Sequence, residues 1–192
     1  MSGYGRRGSR RNEPGSEDAP ARKPPADMEA FAREICLRQL AMAPRTRSQL
    51  ADALTRKEVP KEVSDKVLER YSEVGLIDDE AFAQSWVRSR HANRGLAPRA
   101  LSAELRQRGV DDETIKEAVA EIQPEDLESA AHALVAKKLS STRSLPPDKR
   151  TTRLVGMLAR KGYPPGLAYR VVKEALTGAA HPDEDDDLSL PD

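Results

Sequence analysis

Few residues in this sequence could carry out a reaction, and many more could hold a charged partner. Catalysis needs a nucleophile beside a base, a paired acid and base, or a set of metal ligands. The histidines are His91, His132 and His181, and none stands at ligand spacing from another His or from Cys36. Cys36 lies four residues before Leu40, the spacing of a small core residue on a helix. Asp78, Asp79 and Glu80 follow Gly75-Leu76-Ile77 and precede Ala81-Phe82. At that place they fit the first turn of a helix, where carboxylates cap open N–H groups and meet the positive end of the helix dipole. Gly75, Gly95, Gly109 and Gly162 have the spacing of helix terminators, not of a phosphate-cradling loop. No enzyme, cofactor or metal is expected.

Positive charge is the stronger signal. Between 88 and 108 stand Arg88, Arg90, Arg94, Arg99, Arg106 and Arg108 against Glu104 alone. Residues 129–177 hold ten Lys and Arg, among them Lys137, Lys138, Lys149, Arg150, Arg153, Arg160 and Lys161, against two carboxylates. Lys149, Arg153 and Arg160 recur at i, i+4 and i+11, which keeps them on one face of a helix, with Arg150 and Lys161 on the adjacent stripe. This surplus is hidden in a chain whose formal net charge is zero. It suits a partner rich in phosphate or carboxylate. Tyr163 and Tyr169 are the only rings in that stretch, so contact with charge and shape is expected rather than base stacking.

The elements that must carry these charges are helices. Aromatic residues are 4% of the chain and charged ones 33%, too little bulky apolar material for one large core but enough for small helical units. Three segments share a spacing: Leu50-x3-Leu54-x4-Val59, Leu101-x3-Leu105-x4-Val110 and Leu154-x3-Leu158-x4-Tyr163. Gly109 and Gly162 precede the last apolar residue of the second and third, where a left-handed residue closes a helix. Helix starts follow at Pro60, Asp111-Asp112 and Pro164-Pro165. A further helix then runs through Val63, Val67 and Tyr71; Ile115, Val119 and Ile122; or Leu167, Val171 and Ala175. One helix precedes each leucine pair, through Ile35 and Leu40, through Phe82 and Val87, or through Ala131 and Val135. An all-α chain of three tandem three-helix repeats follows, at 28–77, 78–123 and 124–177. Glu58 occupies the turn position that Gly109 and Gly162 fill, so the first turn must differ or be strained.

Residues 1–27, rich in Gly, Pro and Arg, and the acidic 178–192 cannot bury enough apolar surface to offset ordering entropy. Both are read as disordered; they are either plain solubilising flanks, or a basic tail that touches nucleic acid and an acidic one that mimics it. A lone cysteine allows no disulfide within the chain, no stretch is long and apolar enough to span a membrane, and the Arg-rich start lacks the apolar segment of a signal peptide. A cytoplasmic monomer is expected.

The run Gly75-Leu-Ile-Asp-Asp-Glu-Ala-Phe-Ala-Gln-Ser-Trp-Val-Arg-Ser-Arg90, with Gly95 and Leu101-x3-Leu105-x3-Gly109-Val110 after it, resembles the central signature of the RecX regulatory proteins. Cys36-Leu-Arg-Gln-Leu40 with Arg47-Ser-Gln-Leu50 is similar to that family's first repeat. The resemblance spans 28–177. It implies a curved, elongated array of three three-helix repeats. It also implies binding to RecA recombinase filaments on DNA and suppression of their ATPase, strand-exchange and coprotease activities, and so a part in recombination, repair and the SOS response. By the same resemblance, Arg88, Arg90, Arg94 and the cations of the third repeat are candidates for that contact. Two other readings stay open: a stand-alone DNA-binding protein, since short helices around a Gly turn also describe helix-turn-helix units, and a scaffold for other proteins.

Overall fold

The computed structural model describes residues 25–178. Among them lie nine α-helices: α1 (Pro25–Met42), α2 (Arg47–Thr55), α3 (Lys61–Glu73), α4 (Asp79–Arg94), α5 (Pro98–Arg106), α6 (Asp112–Ala120), α7 (Pro124–Leu139), α8 (Pro147–Arg160) and α9 (Pro165–Gly178). A single 3-10 turn, Ser140–Thr142, separates α7 from α8. This is the all-α, three-repeat architecture read from the sequence. Helix α1 takes in 25–27 and α9 takes in Gly178; the rest of the two flanks lies outside the described residues.

Local chemistry sets the helix ends. Thr46 caps α2 in a full capping box with Gln49. Asp78 accepts the Ala81 amide at 2.8 Å and Asp111 accepts those of Glu113 and Thr114, so the acidic triplet does begin α4 as a cap. Pro98, Pro124, Pro147 and Pro165 each stand at the start of a helix, where the missing N–H costs nothing.

Each repeat closes its own core. Leu50, Leu54, Val67 and Leu68 meet Ala32 and Cys36 in the first. Leu101, Leu105 and Ile115 meet Ala83 and Val87 in the second. In the third, Leu154, Leu158, Val171 and Val172 meet Ala131 and Val135. Every extensively packed helix pair lies inside one repeat: α1 to α3, α4 to α6 and α7 to α9. The repeats therefore stand in line and touch at their ends, as in other one-dimensional arrays.

The junctions are built twice on one plan. The turn before the third helix of each later repeat rests on the N-terminus of the second helix of the repeat before it. At the first junction Thr46 Oγ1 donates to the Arg108 carbonyl at 2.6 Å. At the second the Ala97 amide donates to the Lys161 carbonyl at 2.9 Å, and Ala97 is counted into the third core. Asp79 adds a bridge at the first junction by accepting the Arg47 amide at 2.9 Å, although burial pushes its carboxyl above the usual range. Tyr163 adds one at the second through its hydroxyl to the Gly95 carbonyl at 3.1 Å.

This plan explains where glycine is required. Gly109 and Gly162 have φ of 74° and 89°, and Glu58 has φ of 57° at the equivalent place. The first turn is thus not different but strained, one of the two alternatives the sequence left. A Cβ on Gly162 would stand 2.4 Å from the Ala100 amide nitrogen, and one on Gly109 would stand 2.2 Å from Ser48 Oγ. Glu58 is exposed and faces no preceding repeat among the described residues, so a side chain is sterically tolerated at the cost of a left-handed backbone.

Candidate interaction surface

The structure sorts the basic residues into struts and free cations. Arg90 and Arg108 belong to a cluster around Trp86. Their guanidinium carbons lie 4.1 and 3.7 Å from the indole centroid, within cation–π range. Glu104 accepts the Trp86 indole N–H at 2.8 Å and pairs with Arg90 at 3.6 Å. Arg108 also donates to the Glu104 backbone carbonyl at 3.1 Å. Burial lowers the Arg108 pKa, with Glu104 opposing that shift and Arg90 adding to it. These two arginines tie α4 to α5.

Arg150 is a strut as well. It is half-buried, and its Nε donates to Thr142 Oγ1 at 3.3 Å; Thr142 is itself buried and donates to the Leu139 carbonyl at 2.9 Å. Arg88 pairs with Glu121 at 3.7 Å and Arg106 with Asp112 at 2.7 Å, both in solvent, where such pairs contribute little.

Arg94, Arg99, Lys137, Lys138, Lys149, Arg153 and Arg160 are exposed and form no ion pair among the described residues. Lys149, Arg153 and Arg160 lie on α8 at the spacing of one face. Lys161, just past α8, is half-buried and donates from Nζ to the Arg94 carbonyl, so it caps the C-terminal end of α4 across the second junction. Its pKa is lowered first by burial and then by Arg94 and Lys137. Arg94, Lys137 and Lys161 thus converge on one cleft of about 480 Å³ between α4 and α7. In the sequence Arg94 belongs to the 88–108 cluster, whereas Lys137 and Lys161 belong to the basic stretch 129–177.

The equivalent cleft at the first junction, about 440 Å³, is lined by Leu40, Phe82 and Trp86, with the two rings stacked 5.8 Å apart. Aligned on the buried pairs Ala83/Ala131 and Val87/Val135, Ser89 stands where Lys137 does. Aligned on the caps Thr46 and Ala97, Ala43 stands where Arg94 does. One groove has been given an apolar lining in one copy and a cationic lining in the next.

One further group was not anticipated. Glu128, His132 and Glu174 hold ligand-type atoms within 4.8 Å of one another. Arg170 donates to both oxygens of Glu128 and lowers its pKa, so this group reads as the tie between α7 and α9. The Glu128-x3-His132 spacing was visible in the sequence, but the α9 partners were not. No helix among the described residues is long and apolar enough to cross a membrane.

Comparison with known proteins agrees with the repeat architecture. Models of the first, second and third three-helix domains of RecX match residues 32–70, 78–119 and 125–172. The regulatory protein RecX of Thermobifida fusca (strain YX) is 57% identical over 152 residues, covering 79% of this chain and 82% of that one. That of Streptomyces lividans is 54% identical, covering 85% and 92%. A crystal structure of a regulatory protein RecX superposes with a TM-score of 0.72 at 28% identity, covering 78% of this chain and 73% of that one. The RecX of Lactobacillus salivarius, 18% identical over 79% of this chain and 99% of its own, shares the fold with a TM-score of 0.74. With three domain models in order and relatives this similar over most of their length, the chain belongs to the RecX family of regulatory proteins.

Proposed function

We propose that this protein regulates RecA by binding the RecA–DNA filament and restraining its ATPase, strand-exchange and coprotease activities. The observation that carries the reading is membership of the regulatory family combined with the free cations of repeats two and three. A linear array whose extensive helix packing lies within each repeat offers many small contact faces along a periodic partner. Several modest contacts then act together by avidity, with no need for one dominant site. An array bridging successive filament subunits would hinder the subunit movements that accompany ATP turnover. Cations without carboxylate partners suit acidic protein surface and DNA phosphate alike, and such contact weakens steeply with salt.

The test compares binding to preformed RecA–DNA filaments with binding to naked duplex at equal salt. Tighter binding to filaments is expected. Strong, sequence-selective binding to naked duplex alone would favour the stand-alone DNA-binding alternative, and no binding to either would favour a scaffold.

A further inference from the structure

We propose that the cleft between repeats two and three is a phosphodiester site, in which Arg94 and Lys137 grip one phosphate of a single-stranded nucleic-acid backbone beside the Lys161 cap. The inference deepens the filament reading and rests on it for the nature of the ligand, since that reading sets the protein against DNA.

Three observations carry it. The first is convergence without neutralisation. Arg94 comes from the end of α4, Lys137 from the last turn of α7 and Lys161 from the turn after α8, yet none has a carboxylate partner among the described residues and none of the residues lining the cleft is acidic. Lys161 has a structural reason to be there, because it caps α4. Arg94 and Lys137 are held less closely: they stand in the last turns of α4 and α7, where any cation suits the helix dipole, and neither forms an ion pair among the described residues. Like charges gathered around the half-buried Lys161 repel, and an anion bound among them offsets that repulsion.

The second is rigidity. Gly95 lies against Leu134, where a Cβ would come within 2.9 Å of it, and Gly162 lies against the Ala100 backbone. The two walls of the cleft are thus held at a fixed spacing, so the backbones that carry the cations need not move to receive a ligand.

The third is contrast. The same groove one repeat earlier carries Ala43 and Ser89 where this one carries Arg94 and Lys137, so the fold does not demand these cations. A planar guanidinium and ammonium groups arriving from separate elements suit the several oxygens of one tetrahedral phosphate, which packs its charge more densely than scattered surface carboxylates do.

The test uses the full chain without recombinase and a short fluorescent oligothymidylate, read by anisotropy at low salt. The double variant Arg94→Gln, Lys137→Gln should weaken binding about tenfold and make the salt slope shallower by about one contact's worth per cation lost. The matched control Arg56→Gln, Lys57→Gln, in the exposed turn of repeat one, removes the same charge and should change affinity less than about twofold. Should the double variant lose its helical circular dichroism, Lys137→Glu alone provides the same comparison. Equal losses in cleft and control variants overturn the site in favour of a diffuse field, and no binding by the parent chain overturns it outright. Displacement of the oligonucleotide by polyglutamate as readily as by polyphosphate at equal charge overturns it in favour of an acidic protein surface. The filament reading is tested separately, by the effect on RecA's ATPase, so either can fail alone.

Discussion

Gly162 lies so close to Ala100 that a single added methyl group would stand 2.4 Å from the Ala100 amide nitrogen. Gly109 bears the same relation to Ser48 one junction earlier. Glycine at these turns thus answers two demands at once, a positive φ and a neighbouring repeat.

Substitutions at the three turns should therefore differ in sign. Gly162→Ala and Gly109→Ala should each cost at least about 1–2 kcal/mol from the left-handed backbone alone, and more from the junction clash. Glu58→Gly relieves the strain without a clash and should stabilise by up to about 1 kcal/mol, since glycine's greater unfolded-state freedom offsets part of the gain. Urea unfolding of the three variants checks the order.

The repeat was legible in the sequence because leucine spacing and turn residues are local signals. The strain at Glu58 was half legible: the odd residue was visible, but the reason for its tolerance, the exposure of that turn, is a tertiary fact. The candidate surface was less legible. Arg90 and Trp86 are four residues apart and could have been paired on a helix, whereas Arg108 reaches the same ring from the end of the next helix. Lys161, Lys137 and Arg94 meet only because two repeats abut. Charge counts locate a basic region; they do not separate a strut from a free cation.

The Trp86 cluster predicts such a separation. Glu104→Ala removes the acceptor of the indole N–H and the partner of Arg90, and should cost about 1–2 kcal/mol. Trp86 is the only tryptophan, so its fluorescence should shift in the folded variant. Arg94→Gln, at an exposed and unpaired side chain, should leave the emission unchanged and the melting temperature no lower.

Cys36 is fully buried in the first core, and burial pushes its thiol up to about 11. The nucleophile is the thiolate, so the native protein should resist alkylation at neutral pH and react only after unfolding. Rapid labelling of the native chain by iodoacetamide would contradict the packing of repeat one.

Asp111 gives an acid-side prediction. The Thr114 amide, and after it that residue's hydroxyl and the Glu113 amide, hold its carboxyl below the ordinary 3.8. A depressed folded pKa stabilises above the unfolded value and loses that stabilisation as pH falls through the folded one. Asp111→Asn keeps a capping oxygen but not the titration. The parent should melt higher than this variant near neutral pH, and the difference should close in acid below the ordinary carboxylate range. Melting curves across that range decide it.

Reversing Lys149, Arg153 and Arg160 together tests whether the α8 face takes part in regulation. All three are exposed and free of ion pairs, so the fold should survive. The triple Glu variant should require at least about tenfold more protein for the same effect on RecA, because three phosphate or carboxylate contacts are lost. An unchanged titration would remove α8 from the surface.

The most direct measurement is RecA's DNA-dependent ATP hydrolysis, titrated with the purified full-length chain at low salt. The account predicts that the rate falls as protein is added and recovers as salt is raised. A rate that stays unchanged with the chain in excess over RecA would contradict it.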